Sequence, residues 1–349
     1  MKKVCIFCGN PPQKKNKEHI IPRWLMKLTD TENKDMSVGT NWKEGKEIVF
    51  NFASFTFPSC TKCNSDFAKI ESLVKPTIEK ILIDEYISVP ELETLLDWFD
   101  KVRISLWLGI QFHNKGTFNL DPKYYINTRV GLKDRFLAIT NCYDSYKGIK
   151  WTGANTLCFI MNPTCFTLKI NNILFTNCSS DFIISRQLGF PYPIFEKPNP
   201  NSHLTGFQLV SGKNKAQKRI FKSNLYKPNK IISQPIFKIA KGNFDEYYNN
   251  EYVKNNSYDF ANGIGKLFLT EANKTDVLER DEEVSFASQQ TNVIKKFKLN
   301  KPTLEFQIEL LTSKKYNLDL LNDSQKEQHI ENLKGIIHYT KEQIRQYNY

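Results

Sequence analysis

Residues 5–22 read CIFCGNPPQKKNKEHIIP, and the fold of the first part of the chain turns on what these residues do together. Cys5 and Cys8 form a CxxC pair, and Glu18-His19-Ile20-Ile21-Pro22 follows soon after. A second CxxC pair stands at Cys60 and Cys63. Two thiolates on one tight CxxC turn reach a single ion, and two such pairs close a tetrahedral shell of four, the structural kind of zinc site. Gly9 suits the turn that folds the first pair. A plain zinc ribbon spaces its pairs by roughly 15–20 residues. Here residues 9–59 intervene, so the ion clamps the ends of a larger insert that contains Glu18 and His19. The alternative, four free thiols, leaves the pairing unexplained.

The rest of the composition frames this unit. The chain has 349 residues, 40% hydrophobic and 13% aromatic, enough for two or three domains with real cores and too apolar for wholesale disorder. A net charge of +12 favours a polyanionic partner, nucleic acid or an anionic membrane, over a merely soluble basic protein. From Lys197 to Phe244 there is no acidic residue, while Lys213, Lys215, Lys218, Arg219, Lys222, Lys227 and Lys230 alternate with Phe221, Tyr226 and Phe237. Such a segment reads as a groove tracking a phosphate backbone, or as a solvated hairpin face. Met-Lys-Lys runs straight into Val4–Cys8, too short an apolar run for a secretory signal, so a cytoplasmic location is expected. The eight cysteines are then thiols or metal ligands. The most apolar long run, residues 92–112, carries Asp97, Asp100, Lys101 and Arg103 and reads as a core helix rather than a membrane span.

Periodicity divides the chain at about residue 80. In residues 1–80, the run 46–55 alternates in part as a strand does, and Asn64–Glu71 has helical spacing that should stop before Pro76. Residues 81–349 read as a larger accessory domain. Pro90 and Glu91 open a helix over about 89–113, apolar on more than one face through Trp98, Phe99, Leu106 and Trp107. Residues 118–240 are β-prone, with strands expected at 156–161, 166–170 and 182–185 and a loop at 188–193. The C-terminal part returns to helical spacing through Leu304, Ile308, Leu311, Ile330, Leu333, Ile336 and Ile337. Cys142, Cys158, Cys165 and Cys178 sit at wide spacings and read as small core residues.

Cys5-x-x-Cys8, Glu18-His19-Ile20-Ile21-Pro22 and Cys60-Thr61-Lys62-Cys63-Asn64 together resemble the HNH endonucleases, the ββα-metal nuclease group, in the variety held by two CxxC knuckles. The resemblance covers about residues 3–75. It implies an α+β fold: a small N-terminal ββα-metal unit stapled by zinc, then a mixed α/β accessory domain of unknown fold. It implies a metal-dependent endonuclease acting on phosphodiester bonds in nucleic acid, most simply double-stranded DNA. His19 would be the general base for water, since imidazole titrates near working pH. Glu18 and Asn64 would hold a catalytic Mg2+ or Mn2+ through oxygen. Zinc at Cys5, Cys8, Cys60 and Cys63 would do no chemistry. By analogy with such nucleases, the protein would serve antiphage defence, with no membrane partner and with a protein partner or second copy met through the C-terminal domain. The family's middle asparagine, which orients the base, has no counterpart in Ser54–Ser59; Asn51 lies further upstream, and a backbone carbonyl is the other candidate for that task. Glu71, seven residues after Asn64 on the same helix face, is a candidate supporting acid or an ordinary salt-bridging one. The alternative reading is a zinc-stapled nucleic-acid-binding protein without catalysis, or a zinc-held scaffold for protein partners.

Overall fold

A computed structural model describes residues 4–11, 16–41, 44–113, 130–142, 144–195, 207–211, 230–237, 251–271, 274–287, 300–313 and 322–346. In the N-terminal part, β1 (Lys17–His19) pairs antiparallel with β4 (Thr56–Pro58), in the register His19 to Thr56 and Glu18 to Phe57. Between them lie α1 (Arg23–Leu28) and a hairpin of β2 (Asp35–Asn41) with β3 (Lys46–Asn51). Pro22 precedes α1, where its fixed φ and missing N–H suit a helix entry. A short 3-10 turn, Phe52–Ser54, leads into β4.

Helix α2 (Thr61–Leu82) starts at Cys60 and runs past the expected stop: Pro76 lies inside it. The proline is exposed, and the helix buries Phe67, Val74, Thr77, Ile78 and Ile81 on its inner face. That apolar stripe carries the helix through a residue that removes one backbone donor on its solvent-facing side.

After β5 (Tyr86–Ser88) comes α3 (Val89–His113), as the spacing predicts. It is buried almost all round, charged residues included. Seven strands form one antiparallel sheet: β6 (Arg135–Asn141), β7 (Ile149–Thr152), β8 (Cys165–Ile170), β9 (Ile173–Ser179), Lys230–Gln234, Leu267–Glu271 and Lys274–Leu278, in the order Lys274–Leu278, Leu267–Glu271, Lys230–Gln234, β6, β9, β8, β7.

Strand alternation splits the core across this sheet. Leu137, Ile139, Phe166, Leu168, Phe175 and Ile232 point to the face covered by α3 and belong to one apolar cluster with the N-terminal unit. Phe136, Ala138, Cys165, Cys178, Ile231 and Phe268 point the other way, into a second cluster with Phe306 and Leu310 of the helix Asn300–Ser313. Both faces are therefore covered, which explains why β6, β8 and β9 are buried along almost their whole length, polar residues included. The chain is a mixed α/β structure built on a multi-stranded sheet. A further helix, Asp323–Gln346, follows at the C-terminal end.

Three local expectations are corrected. Residues 157–161 form a helix, α4 (Leu157–Met161), because the Thr156 hydroxyl accepts from the Phe159 N–H at its start. Residues 182–184 are turn and Ser185–Leu188 is helical, because buried Asp134 accepts from the N–H groups of Ile184 and Ser185 and holds them in a bend. Pro191–Phe195 is a strand paired with Phe207–Ser211 rather than loop; a two-stranded ribbon has only edges, and edges accept proline. Cys142, Cys158, Cys165 and Cys178 are all buried, as expected of small core residues. Among the described residues no helix is long and apolar enough to cross a membrane.

Candidate functional site

The four N-terminal cysteines converge. Gly9, at φ +74°, closes the first turn by donating its N–H to the Cys5 carbonyl at 2.7 Å. The Ile6 N–H donates to the Pro58 carbonyl at 3.0 Å, tying that turn to the end of β4. Cys60 is the N-cap of α2, and its sulfur accepts from the Cys63 N–H at 3.4 Å. All four Sγ atoms lie within 4.8 Å of one another, and Cys8 Sγ stands 3.9 Å from Cys60 Sγ. A tetrahedral zinc with bonds of about 2.3 Å needs sulfur–sulfur edges of about 3.8 Å, so the geometry fits.

The charges fit as well. Burial opposes ionisation at Cys60, but the Cys63 N–H and the neighbouring thiols overcome it and bring the thiol down to about 7. Burial pushes the Cys5 and Cys63 thiols up, and close sulfurs push Cys63 further. Four thiolates this close need a divalent cation to coexist. Zinc would be held by Cys5, Cys8, Cys60 and Cys63, and would lock β1 and β4 to the start of α2. Phe7 packs beneath, its ring 5.4 Å from Phe57 and 4.5 Å from Phe67.

His19 ends β1, half-buried, and the Ala53 backbone lies near enough to its ring to favour the protonated form, as a carbonyl does. Asn51 acts one step behind: its side-chain oxygen accepts from the Ala53 N–H at 3.1 Å and fixes the turn that presents that carbonyl. Burial lowers the His19 pKa below the ordinary 6.5, and the nearby Arg23 guanidinium lowers it further; the Ala53 carbonyl, Glu71 and Glu32 pull the other way. The imidazole is therefore mainly neutral at pH 7, the form that accepts a proton. Arg23 is paired with Glu32 at 3.2 Å, and its side chain is 62% exposed.

Glu18 points to the opposite side of β1, into the protein, and is 7% exposed. Its carboxylate accepts from Lys101 Nζ at 2.9 Å, and the same ammonium donates to Glu71 at 2.7 Å. Lys101 comes from α3 and is wholly buried. Burial raises the Glu18 pKa against the pull of Lys101, while the two carboxylates hold Lys101 protonated in spite of its burial. Asn64 lies in the first turn of α2, two turns from Glu71, about 10.5 Å along the axis. Among the described residues no hydrogen bond joins its side chain to His19 or Glu18.

The second implied ion, Mg2+ or Mn2+ at Glu18 and Asn64, does not fit these residues as they stand. An ammonium already holds the Glu18 carboxylate, both of these charges are buried, and among the described residues no hydrogen bond brings Asn64 to them. Lys213, Lys215, Lys218, Arg219 and Lys222 lie outside the described residues. A cleft of about 810 Å³ opens between β2, β7 and the loop before β7, lined by Phe52, Trp151, Tyr146, Lys34 and Lys150; His19 does not line it.

Sequence reasoning passed over Lys101 and Arg23. The signal for Lys101 was present: a charged residue in a helix apolar all round must find buried partners. Its neighbours Asp100 and Arg103 find theirs toward the sheet, with Arg103 bonded to Asp100 at 2.6 Å and to Asn177 at 2.5 Å. Comparison with known proteins finds no family model, no curated relative and no solved structure that matches the chain.

Proposed function

We propose that the zinc-stapled N-terminal unit is an HNH-type endonuclease that hydrolyses phosphodiester bonds in nucleic acid, with double-stranded DNA as its substrate. The observation that carries this reading is the placement of His19: a half-buried imidazole at the end of β1, which pairs with the strand that leads into Cys60, and set in the chain between the two converging cysteine pairs. The Ala53 carbonyl does what the family's middle asparagine does, and Asn51 holds it in place. Support also comes from the order of the three motif pieces in the sequence and from the basic chain.

The chemistry asked of these residues is simple. A water gives a proton to the free ring nitrogen of His19 as its oxygen bonds to phosphorus. The bond from phosphorus to the 3′-oxygen breaks, and that oxygen takes a proton from solvent. The Ala53 carbonyl, accepting from the other ring nitrogen, keeps the imidazole in the tautomer that accepts a proton and steadies the imidazolium that forms. A neutral base at pH 7 contributes on the order of 10²–10⁴-fold. A role in antiphage defence is consistent with such a unit joined to a separate domain.

One observation favours the non-catalytic alternative: Glu18 is sealed by Lys101. The test that separates the two is plasmid cleavage by wild type and His19→Ala, with zinc content measured on both. The variant keeps its zinc and loses cutting by at least about 10²-fold. Equal cutting by both proteins removes His19 from the reaction, and equal DNA binding with no cutting by either leaves a binding module.

A further inference from the structure

The Glu18–Lys101–Glu71 cluster sits where a cation belongs and already contains one. We propose that Lys101 is the resident cation of this site: its ammonium neutralises Glu18 and Glu71 and fixes β1 against α2, so these carboxylates take up no Mg2+ or Mn2+. The inference rests on the reading of His19 as the base only for its catalytic consequence, and its metal-binding content stands apart from that reading.

The geometry is that of two charge-assisted hydrogen bonds, at 2.9 and 2.7 Å, meeting on one nitrogen. The side chains of Lys101, Glu18 and Glu71 are 1%, 9% and 17% exposed. A hard cation that dehydrates reluctantly has no open ligand here, and entry requires expelling an ammonium that has nowhere else to go. The Phe67 ring lies 5.7 Å from the same nitrogen and adds a further favourable contact for a monovalent cation.

The placement of Lys101 is also specific. Asp97, Asp100 and Arg103 on α3 are all engaged on the sheet side, with Arg135 and Asn177. Lys101 pairs instead with the N-terminal unit. The accessory part of the chain thus supplies the cation that holds the strand bearing His19. Lys101 does not reach solvent and cannot touch a phosphate, so it is a positioning residue that acts through Glu18 and β1.

Removal of the ammonium leaves two facing carboxylates in a buried place, which then require protons or a metal ion. Mn2+ titration of the zinc-loaded full chain, read by loss of the free-ion paramagnetic resonance signal, tests this. Wild type leaves the added Mn2+ free, whereas Lys101→Met takes up one Mn2+ per chain, at least about tenfold more tightly than any site in wild type. Uptake of one Mn2+ by wild type that is lost in Glu18→Gln overturns the proposal, as does a folded, zinc-loaded Lys101→Met that binds none. If Lys101→Met does not fold, the wild-type and Glu18→Gln titrations decide alone. None of these outcomes depends on cleavage, so failure of the nuclease reading is seen separately, in the His19→Ala comparison.

Discussion

Replacing Cys60 by serine separates two tasks of one residue. Serine is among the best N-caps, so the start of α2 keeps an acceptor for the Cys63 N–H. A neutral hydroxyl in place of a thiolate opens the four-sulfur shell. The Cys8–Cys60 link spans 52 residues, and cross-linking a loop of that length removes about 4 kcal/mol of chain entropy from the unfolded state. The largest apolar contact holding the first turn is Phe7, whose full burial is worth about 1.5–3 kcal/mol. With Ile6 also buried, the metal link and the packing of this turn are of similar size, and the turn and strand pair loosen when the link is lost. Hydrogen exchange followed by mass spectrometry, with zinc measured on the same sample, reads this locally. Cys60→Ser should lose zinc, and amides of β1, β4 and the first turns of α2 should exchange up to about 10³-fold faster. Amides at the centre of α3 should be unaffected, since sheet residues pack against them. A Cys60→Ser protein with a full zinc equivalent and wild-type exchange would refute the four-thiolate assignment.

The His19 environment and the buried Asp100–Arg103 pair each carry measurable consequences. His19 has a folded-state pKa below its ordinary 6.5, so the unfolded chain binds the proton first. Its contribution to stability is complete above pH 6.5 and is lost as pH falls from 6.5 to the folded value. Cleavage should show an acid limb with its midpoint below 6.5, and a midpoint above that value in zinc-replete protein would contradict the environment described for the ring. Arg103→Met should destabilise the chain by about 3–5 kcal/mol, because it leaves the buried Asp100 carboxylate without its closest cation, with Arg135 at 3.6 Å and the Asn177 amide at 3.4 Å as its remaining partners. Asp100→Asn combined with Arg103→Met should cost clearly less than the sum of the two single changes in urea unfolding, and strict additivity would show that the pair is not coupled.

Much of this protein was legible as local chemistry. Two CxxC pairs read as chelating turns, and the structure brings their sulfurs within 4.8 Å of one another. The helix 89–113 was legible because proline, an acid in the first turn and an unbroken apolar run agree with one another. Where local signals disagreed, tertiary packing decided. Pro76 marks a stop, yet the buried stripe of Phe67, Val74, Ile78 and Ile81 carries α2 through it. The run 156–161 has strand composition, yet one threonine hydroxyl at its start makes it a helix.

The site divides in the same way. The sequence by itself picked out the four cysteines that come together and the histidine between them, because spacing and residue type suffice to mark a chelating cluster. It could not determine the state of Glu18, because the group that neutralises it is 83 residues away on another helix. Nor could it say what orients His19, because a backbone carbonyl carries no letter of its own. Only the tertiary structure, by burying Lys101 between two carboxylates and setting the Ala53 backbone beside the imidazole, decided what kind of charge the site holds and what surrounds His19.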